Sequence, residues 1–316
     1  MNNDFRLPLG NWVETGVDAV TETFSPIFDV IKFVFGSLYE TVEYALITPP
    51  FWVVILVAAL LALVIKGWRF ALGSVVGLTA IVAMNQWENA MESLSLVLVA
   101  SAVAVIISIP LGILAAQSDI ASAVIRPVLD FMQTLPAFVY LVPALLFFGI
   151  GVVPGMVATI IFAMAPGVRL TELGIRGVDR EVVEAGQAFG SSPWRILFQI
   201  QLPLAAKTIM AGVNQVIMLS LSMVVIAGIV GAGGLGGDVL QALSRIDVGL
   251  GAEAGLSVVI IAIFLDRLTA ALGGAGRSPF RFRRARPATA TPAAGAPSPG
   301  SLSDPGHPQD IRAGTL

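Results

Sequence analysis

Seven apolar runs, at 50–65, 70–85, 92–116, 128–150, 152–170, 207–230 and 251–272, leave this chain few ways to fold in water. A helix needs about 20 apolar residues, within a range of about 17–25, to cross a bilayer. The runs at 50–65 and 70–85 are short for that, and 128–150 nearly touches 152–170 through Gly149, Ile150 and Gly151. Only 12% of the residues are charged, against 56% hydrophobic. A soluble domain carries roughly 25% charged residues, so this chain has too few to cover a water-facing surface. It reads as an all-α, polytopic membrane protein with about seven spans.

The residue types exclude several chemistries. There is no cysteine, and the single histidine, His307, lies in the C-terminal tail. Disulfides, thiolate catalysis and a histidine-based metal site are therefore not expected. No mid-span carboxylate pair offers acid–base or ion-coupling chemistry. No G-x(4)-G-K-[ST] loop occurs: the lysines are Lys32, Lys66 and Lys207, and none follows a glycine. The chain is thus not expected to cradle nucleotide phosphates, and no catalytic residue, metal or cofactor is assigned to it.

Orientation follows from the basic residues, which concentrate in cytoplasmic loops. If seven spans alternate and 171–206 is cytoplasmic, Lys66, Arg69, Arg126, Arg169, Arg176, Arg180, Arg195 and Lys207 all lie inside, and only Arg245 falls in a short outer loop. The N-terminus is then outside and the C-terminus cytoplasmic. Residues 1–49 show no signal peptide pattern and read as an extracytoplasmic extension. Within it, Ile27–Ile47 is interrupted by Asp29, Lys32, Glu40 and Glu43. That pattern suits an amphipathic helix lying on the membrane; a poor spanning helix is the alternative. Residues 50–272 form the transmembrane domain. Residues 273–316 turn to Ala, Pro, Gly, Ser and Thr, with Arg277, Arg281, Arg283, Arg284 and Arg286 just past the last span. This composition predicts a disordered tail whose basic cluster lies against anionic lipid.

The longest polar interruption in the second half is EAGQAFGSSPWRILFQIQLP, Glu184 to Pro203. Arg180 to Phe189 has helix-forming composition, and Gly190 can end that helix at positive φ. Ser191 or Ser192 can cap a second helix with Pro193 at its first position. That helix runs through Trp194, Ile196, Leu197 and Ile200 until Pro203 disturbs it. The prediction is two short helices meeting at a bend, within a loop 171–206 that a partner can grip.

Polar residues at membrane depth mark a second candidate site. Gln133, Thr134 and Tyr140 sit in the run 128–150, and Asn214, Gln215, Ser220 and Ser222 in the sixth. Such side chains face protein or a water-filled cavity rather than lipid. Gln133, Tyr140, Asn214, Gln215, Ser220 and Ser222 are the candidate lining of a path; helix–helix hydrogen bonding is the alternative for each. Gly231–Gly237 contains G-x-G-x-x-G but follows a membrane helix, not a strand, so it is not a dinucleotide fingerprint. It reads as a flexible or tightly packed outer turn before a short helix, Asp238–Arg245.

Glu184, Ala185, Gly190, Ile200, Leu202 and Pro203 fall at the spacing E-A-A-x3-G-x9-I-x-L-P, with Gly186 in place of the second alanine. That spacing resembles the cytoplasmic coupling loop of ABC-importer permeases. LDFMQTLPAFVYLVPAL at 129–145, LSMVVIAGIVGAGGLGGDVL at 221–240 and DVGLGAEAGLSVVIIAIFLDRLT at 247–269 are similar to the permease subunit of glycine betaine/proline betaine importers. The resemblance spans roughly 50–272. It implies a type I ABC-importer permease fold in the bacterial cell membrane and import of quaternary-ammonium osmoprotectants. It also implies three partners: a separate ABC ATPase that binds ATP and Mg, a separate extracytoplasmic binding protein, and a second copy of the permease. Besides these only membrane lipids, and no nucleic acid, are expected to bind. A permease for choline, carnitine or a methionine-like amino acid, or an ion-coupled secondary transporter, is the alternative.

Overall fold

A computed structural model describes residues 9–273; the first eight residues and the basic tail lie outside the described residues. Every regular element described is helical. The order is α1 (Leu9–Ile47), α2 (Phe51–Lys66), α3 (Trp68–Ala83), α4 (Trp87–Gln117), α5 (Asp119–Thr134) and, after a 3₁₀ turn at Ala137–Tyr140, α6 (Leu141–Phe148). Then come α7 (Val152–Arg176), α8 (Arg180–Ala188), α9 (Pro193–Ile196), α10 (Leu202–Ile229), α11 (Gly234–Arg245) and α12 (Val248–Gly273).

The bundle is organised around α7, which lies between α4 and α10. Small residues make this possible, because without a hydrophobic driving force membrane helices associate by close backbone approach. A Cβ on Gly167 would sit 2.5 Å from Ser108 Oγ and 2.9 Å from Val216. One on Gly174 would meet Thr208 at 3.0 Å, and one on Gly155 would meet Ala227 at 2.9 Å. Neighbouring helices answer in kind: Gly212 of α10 faces Leu170 and Gly167, and Gly112 of α4 faces Thr171 and Val168.

Among the described residues four helices are long and apolar enough to cross a membrane: Trp87–Gln117, Val152–Arg176, Pro193–Ile229 and Val248–Ala271. Two further candidates are bent pairs, α1 with α2 at 99° and α5 with the 137–148 segment at 107°. The run 128–150 is therefore not one straight span. Pro136 has no N–H to give the Met132 carbonyl, and the residue before a proline is pushed out of the helical region; Leu135 is extended, at ψ 134°. The Tyr140 hydroxyl donates to that freed Met132 carbonyl, so the break is internally satisfied. Pro110 and Pro166, by contrast, stay inside continuous helices.

The described part of residues 1–49 is one long helix, Leu9–Ile47, rather than a segment starting near Ile27. Phe28, Ile31, Phe35, Tyr39, Val42 and Leu46 recur at helical spacing and pack on the core. Phe28 stacks on Phe147 at 4.7 Å and meets Phe148 edge-on at 5.6 Å. Beside that packed face, Val20, Phe24, Ile27, Val34 and Leu38 stay exposed.

The glycine-rich turn is tightly packed. A Cβ on Gly228 would lie 2.2 Å from the Gly236 carbonyl carbon, and one on Gly236 would lie 2.2 Å from the Val224 oxygen. The helix after it starts at Gly234, four residues earlier than the sequence suggests. Its free N–H groups are taken by α4: Gly234 N donates to Glu92 Oε2 at 2.7 Å and Leu235 N to Ser93 Oγ at 2.8 Å.

Candidate functional site: an elbow fused to a span

The segment after α7 makes the two-helix elbow. Asp179 caps α8 by accepting from Glu181 N at 3.1 Å. Gly190, at φ 76°, turns the chain; Gly190 N donates to the Gln187 carbonyl at 2.8 Å and Ser191 N to the Gly186 carbonyl at 3.1 Å. These bonds satisfy carbonyls that a helix end leaves free. Ser192 then caps α9, with Pro193 in the first turn. At Gly186 a Cβ would come 2.9 Å from Ile200 Cδ1, so the missing methyl lets α8 close on Ile200 and Ile196.

The second half differs from expectation. Pro203 does not end the helix. A π-helical turn over Leu197–Gln201 widens the backbone just before it, and Leu202 N donates to the Leu197 carbonyl. A proline ring clashes with the carbonyl four residues back, and a π-turn displaces that carbonyl. Helix therefore runs unbroken from Pro193 to Ile229, 37 residues. The elbow's second arm and the following span are one rod.

The elbow has a buried root and an exposed tip. Ile196 and Leu197 are buried, and Leu197 packs with Ile175, Ala205 and Ile209. Phe189 is 90% exposed and Trp194 69% exposed, with Trp194 stacked on Phe198 at 5.9 Å. Glu184 and Ala185 are exposed, Gly186, Ile200 and Leu202 half-buried, and Pro203 exposed. Glu184 forms no ion pair among the described residues. An apolar groove of about 710 Å³ opens beside the tip, between Pro110, Ile113 and Leu114 of α4 and Trp194 and Phe198.

An ion-pair hub fixes the elbow's base. Glu172, 4% exposed, accepts from Ser122 at 2.7 Å, Arg126 at 2.8 Å and Arg176 at 3.1 Å. Arg176 also pairs with Asp119 at 2.8 Å and donates to the Ala115 carbonyl at 2.8 Å. Arg169 pairs with Asp130. This hub ties α4, α5 and α7 together and surrounds a cavity of about 340 Å³. In the sequence, Arg126, Arg169 and Arg176 stand out only as topology markers, and Glu172 does not stand out. The signal available was the Glu172–Arg176 spacing on one helix face.

The six candidate path residues stand in different surroundings. Gln133 is exposed on α5. Tyr140 is buried and meets Phe162 edge-on at 6.2 Å. Asn214 donates to Asp266 Oδ1 at 3.3 Å and accepts from Thr269, tying α10 to α12. Ser220 is fully buried, and its hydroxyl has no partner among the described residues. Gln215 and Ser222 are exposed at helical spacing on α10, with Met218 between them. Tyr140 and Asn214 thus serve internal contacts, whereas Gln133, Gln215 and Ser222 are open to whatever borders the bundle. Among the described residues no group of three or more His, Cys, Asp or Glu side chains is placed to hold a metal.

A family described as "Binding-protein-dependent transport system inner membrane component" matches residues 108–274. The glycine betaine/carnitine transport permease protein GbuB of Listeria monocytogenes is 47% identical over 282 residues, 88% of this chain and 100% of the relative. The glycine betaine/proline betaine permease protein ProW of Escherichia coli is 48% identical over 272 residues, 86% of this chain and 77% of the relative. The glycine betaine permease protein OpuAB of Bacillus subtilis is 44% identical over 264 residues, 84% of this chain and 94% of the relative. An inward-facing structure of the MetNI methionine ABC transporter superposes with a TM-score of 0.55 at 19% identity, covering 58% of this chain and 92% of that one.

Proposed function

The chain belongs to the family of binding-protein-dependent transport-system inner-membrane components, and from that premise we propose that it forms the transmembrane path of an ATP-driven importer for glycine betaine-type quaternary amines. It is a multi-pass membrane permease of the ABC importer class. A separate ATPase, which binds the nucleotide and Mg, grips the 171–206 elbow. A separate extracytoplasmic protein delivers the solute, and two copies of the permease enclose one path. Residues 1–49 lie outside along the membrane surface, and the tail lies in the cytoplasm.

The observation that carries this reading is the elbow itself: an exposed aromatic tip continuous with a span. Force applied at Trp194 reaches the membrane-embedded half of α10 without crossing a loop. This is the arrangement an interface-driven rigid-body transition requires. The betaine assignment is supported by relatives at 44–48% identity. Trimethylammonium groups are attracted to aromatic faces, and Phe131 and Phe138 flank the break after α5 with their rings exposed. Phe147 is already stacked on Phe28 and is not available for that role.

The test is uptake of labelled glycine betaine, choline and carnitine in cells lacking their own importers, with and without the cognate ATPase and binding protein. Uptake requires both partners, and glycine betaine is preferred. Glu184→Lys and Gly190→Pro abolish uptake while the protein remains in the membrane. Full uptake by the reconstituted chain alone under an ion gradient would show a secondary transporter instead.

A further inference from the structure

A slot of about 210 Å³ lies between α3 and α12, lined by Arg69, Phe70, Gly73, Gly77, Ile260 and Phe264, among others. It belongs neither to the elbow nor to the candidate path. Two contacts fix the register of its walls. A Cβ on Gly77 would touch Ile260 at 2.9 Å, and Phe70 stacks on Phe264 at 6.0 Å. The helices are therefore antiparallel here, and they stand apart between those contacts: a Cβ on Gly73 would meet nothing within 4 Å. The slot opens to the outside of the bundle, where Leu72, Val76 and Ile263 are exposed.

Positive charge collects at one end of this apolar slot. Arg69 lines it, and the Lys66 ammonium lies 5.6 Å from the Phe70 ring. Arg267 follows Phe264 by three residues, which puts it on the same helix face and at the same end. Neither Lys66 nor Arg69 forms an ion pair among the described residues. Among the described residues Arg267 reaches only Asp266, at 3.9 Å, and Asp266 is already engaged by Asn214. An apolar ligand would need no cationic end, and a soluble anion would need polar walls along its length. A hydrocarbon slot that ends in three cations, two of them without an ion pair among the described residues, matches a molecule with an acyl chain and an anionic head.

We propose that this slot is a binding site for an anionic phospholipid, with an acyl chain laid over Gly73 and the headgroup held among Lys66, Arg69 and Arg267. The experiment places the protein in nanodiscs of equal phosphatidylglycerol and phosphatidylcholine, releases it intact and counts retained lipids by native mass spectrometry. Phosphatidylglycerol is retained over phosphatidylcholine by about fivefold per basic residue. The triple variant Lys66→Gln/Arg69→Gln/Arg267→Gln keeps the lipid but brings the ratio close to unity. Gly73→Leu, which fills the slot, loses the lipid whatever its headgroup. Ile263→Trp closes the slot from the other wall and gives the same loss should Gly73→Leu fail to accumulate. Equal retention of the two lipids by the unaltered protein, or an undiminished lipid count in both slot-filling variants, overturns the proposal. The readout is lipid rather than transport, so its failure is distinct from a failure of the importer reading.

Discussion

Glu172 receives hydrogen bonds from Ser122, Arg126 and Arg176, and the three donors are not equivalent to their acceptor. Either arginine can be lost while the other still neutralises the carboxylate. Losing the carboxylate leaves Arg126 without an ion-pair partner among the described residues and Arg176 with Asp119 alone. A hydrogen bond to a charged group contributes about 1.5–3 kcal/mol, and both arginines reach solvent, which softens the penalty for each. Glu172→Ala is therefore expected to destabilise more than Arg126→Ala or Arg176→Ala alone. Combining both arginine changes should approach the cost of Glu172→Ala, a non-additive pattern for groups in one network. Thermal unfolding midpoints of the detergent-solubilised variants measure this. Equal effects from all three single changes would show that the hub is not centred on Glu172.

Among the elements, the crossing of α10 and α11 depends on the absence of side chains. With a hypothetical Cβ only 2.2 Å from backbone at both Gly228 and Gly236, neither neighbour can move aside as a flexible side chain would. Gly236→Ala is expected to force α11 away from α10 and to lower the amount of folded protein in the membrane. Gly255, also helical but with nothing within 4 Å of a Cβ, is the contrast. Gly255→Ala is expected to be neutral or stabilising by up to ~1 kcal/mol, the helix-propensity difference. Fluorescence size-exclusion profiles of the two variants separate these outcomes. The elements show what a sequence reveals and what it conceals. The elbow was legible because its signals are local: a capping serine, a proline in the first turn, a glycine at the bend. The continuity past Pro203 was not, because the π-turn that absorbs the ring has no residue signature of its own. The break at Pro136 was hidden inside an unbroken apolar run, since hydropathy reports transfer out of water and not direction. Gln133, Tyr140 and Asn214 looked alike as polar residues in apolar surroundings. Only the partners at Met132 and Asp266 separate a side chain that closes an internal bond from one that faces outward.

For the whole molecule, the proposed topology sets the elbow on the cytoplasmic side of the bundle and α11 on the outer side. The absence of cysteine makes single-cysteine labelling clean. Ser192, at the elbow, and Ser244, near the end of α11, are both exposed. Ser192→Cys is expected to react with a membrane-impermeant maleimide only from the inner side, and Ser244→Cys only from the outer side. The reverse pattern would invert the topology and remove the elbow from any ATPase.

The unbroken helix from Pro193 to Ile229 lies against α7 at three levels: Thr208 at Gly174, Gly212 at Gly167 and Leu170, and Ala227 at Gly155. The first and last of these lie about 28 Å apart along the axis at 1.5 Å per residue. A rod clamped over that length has no single pivot, so a shove at the elbow is expected to carry α7 along rather than to rock α10 alone.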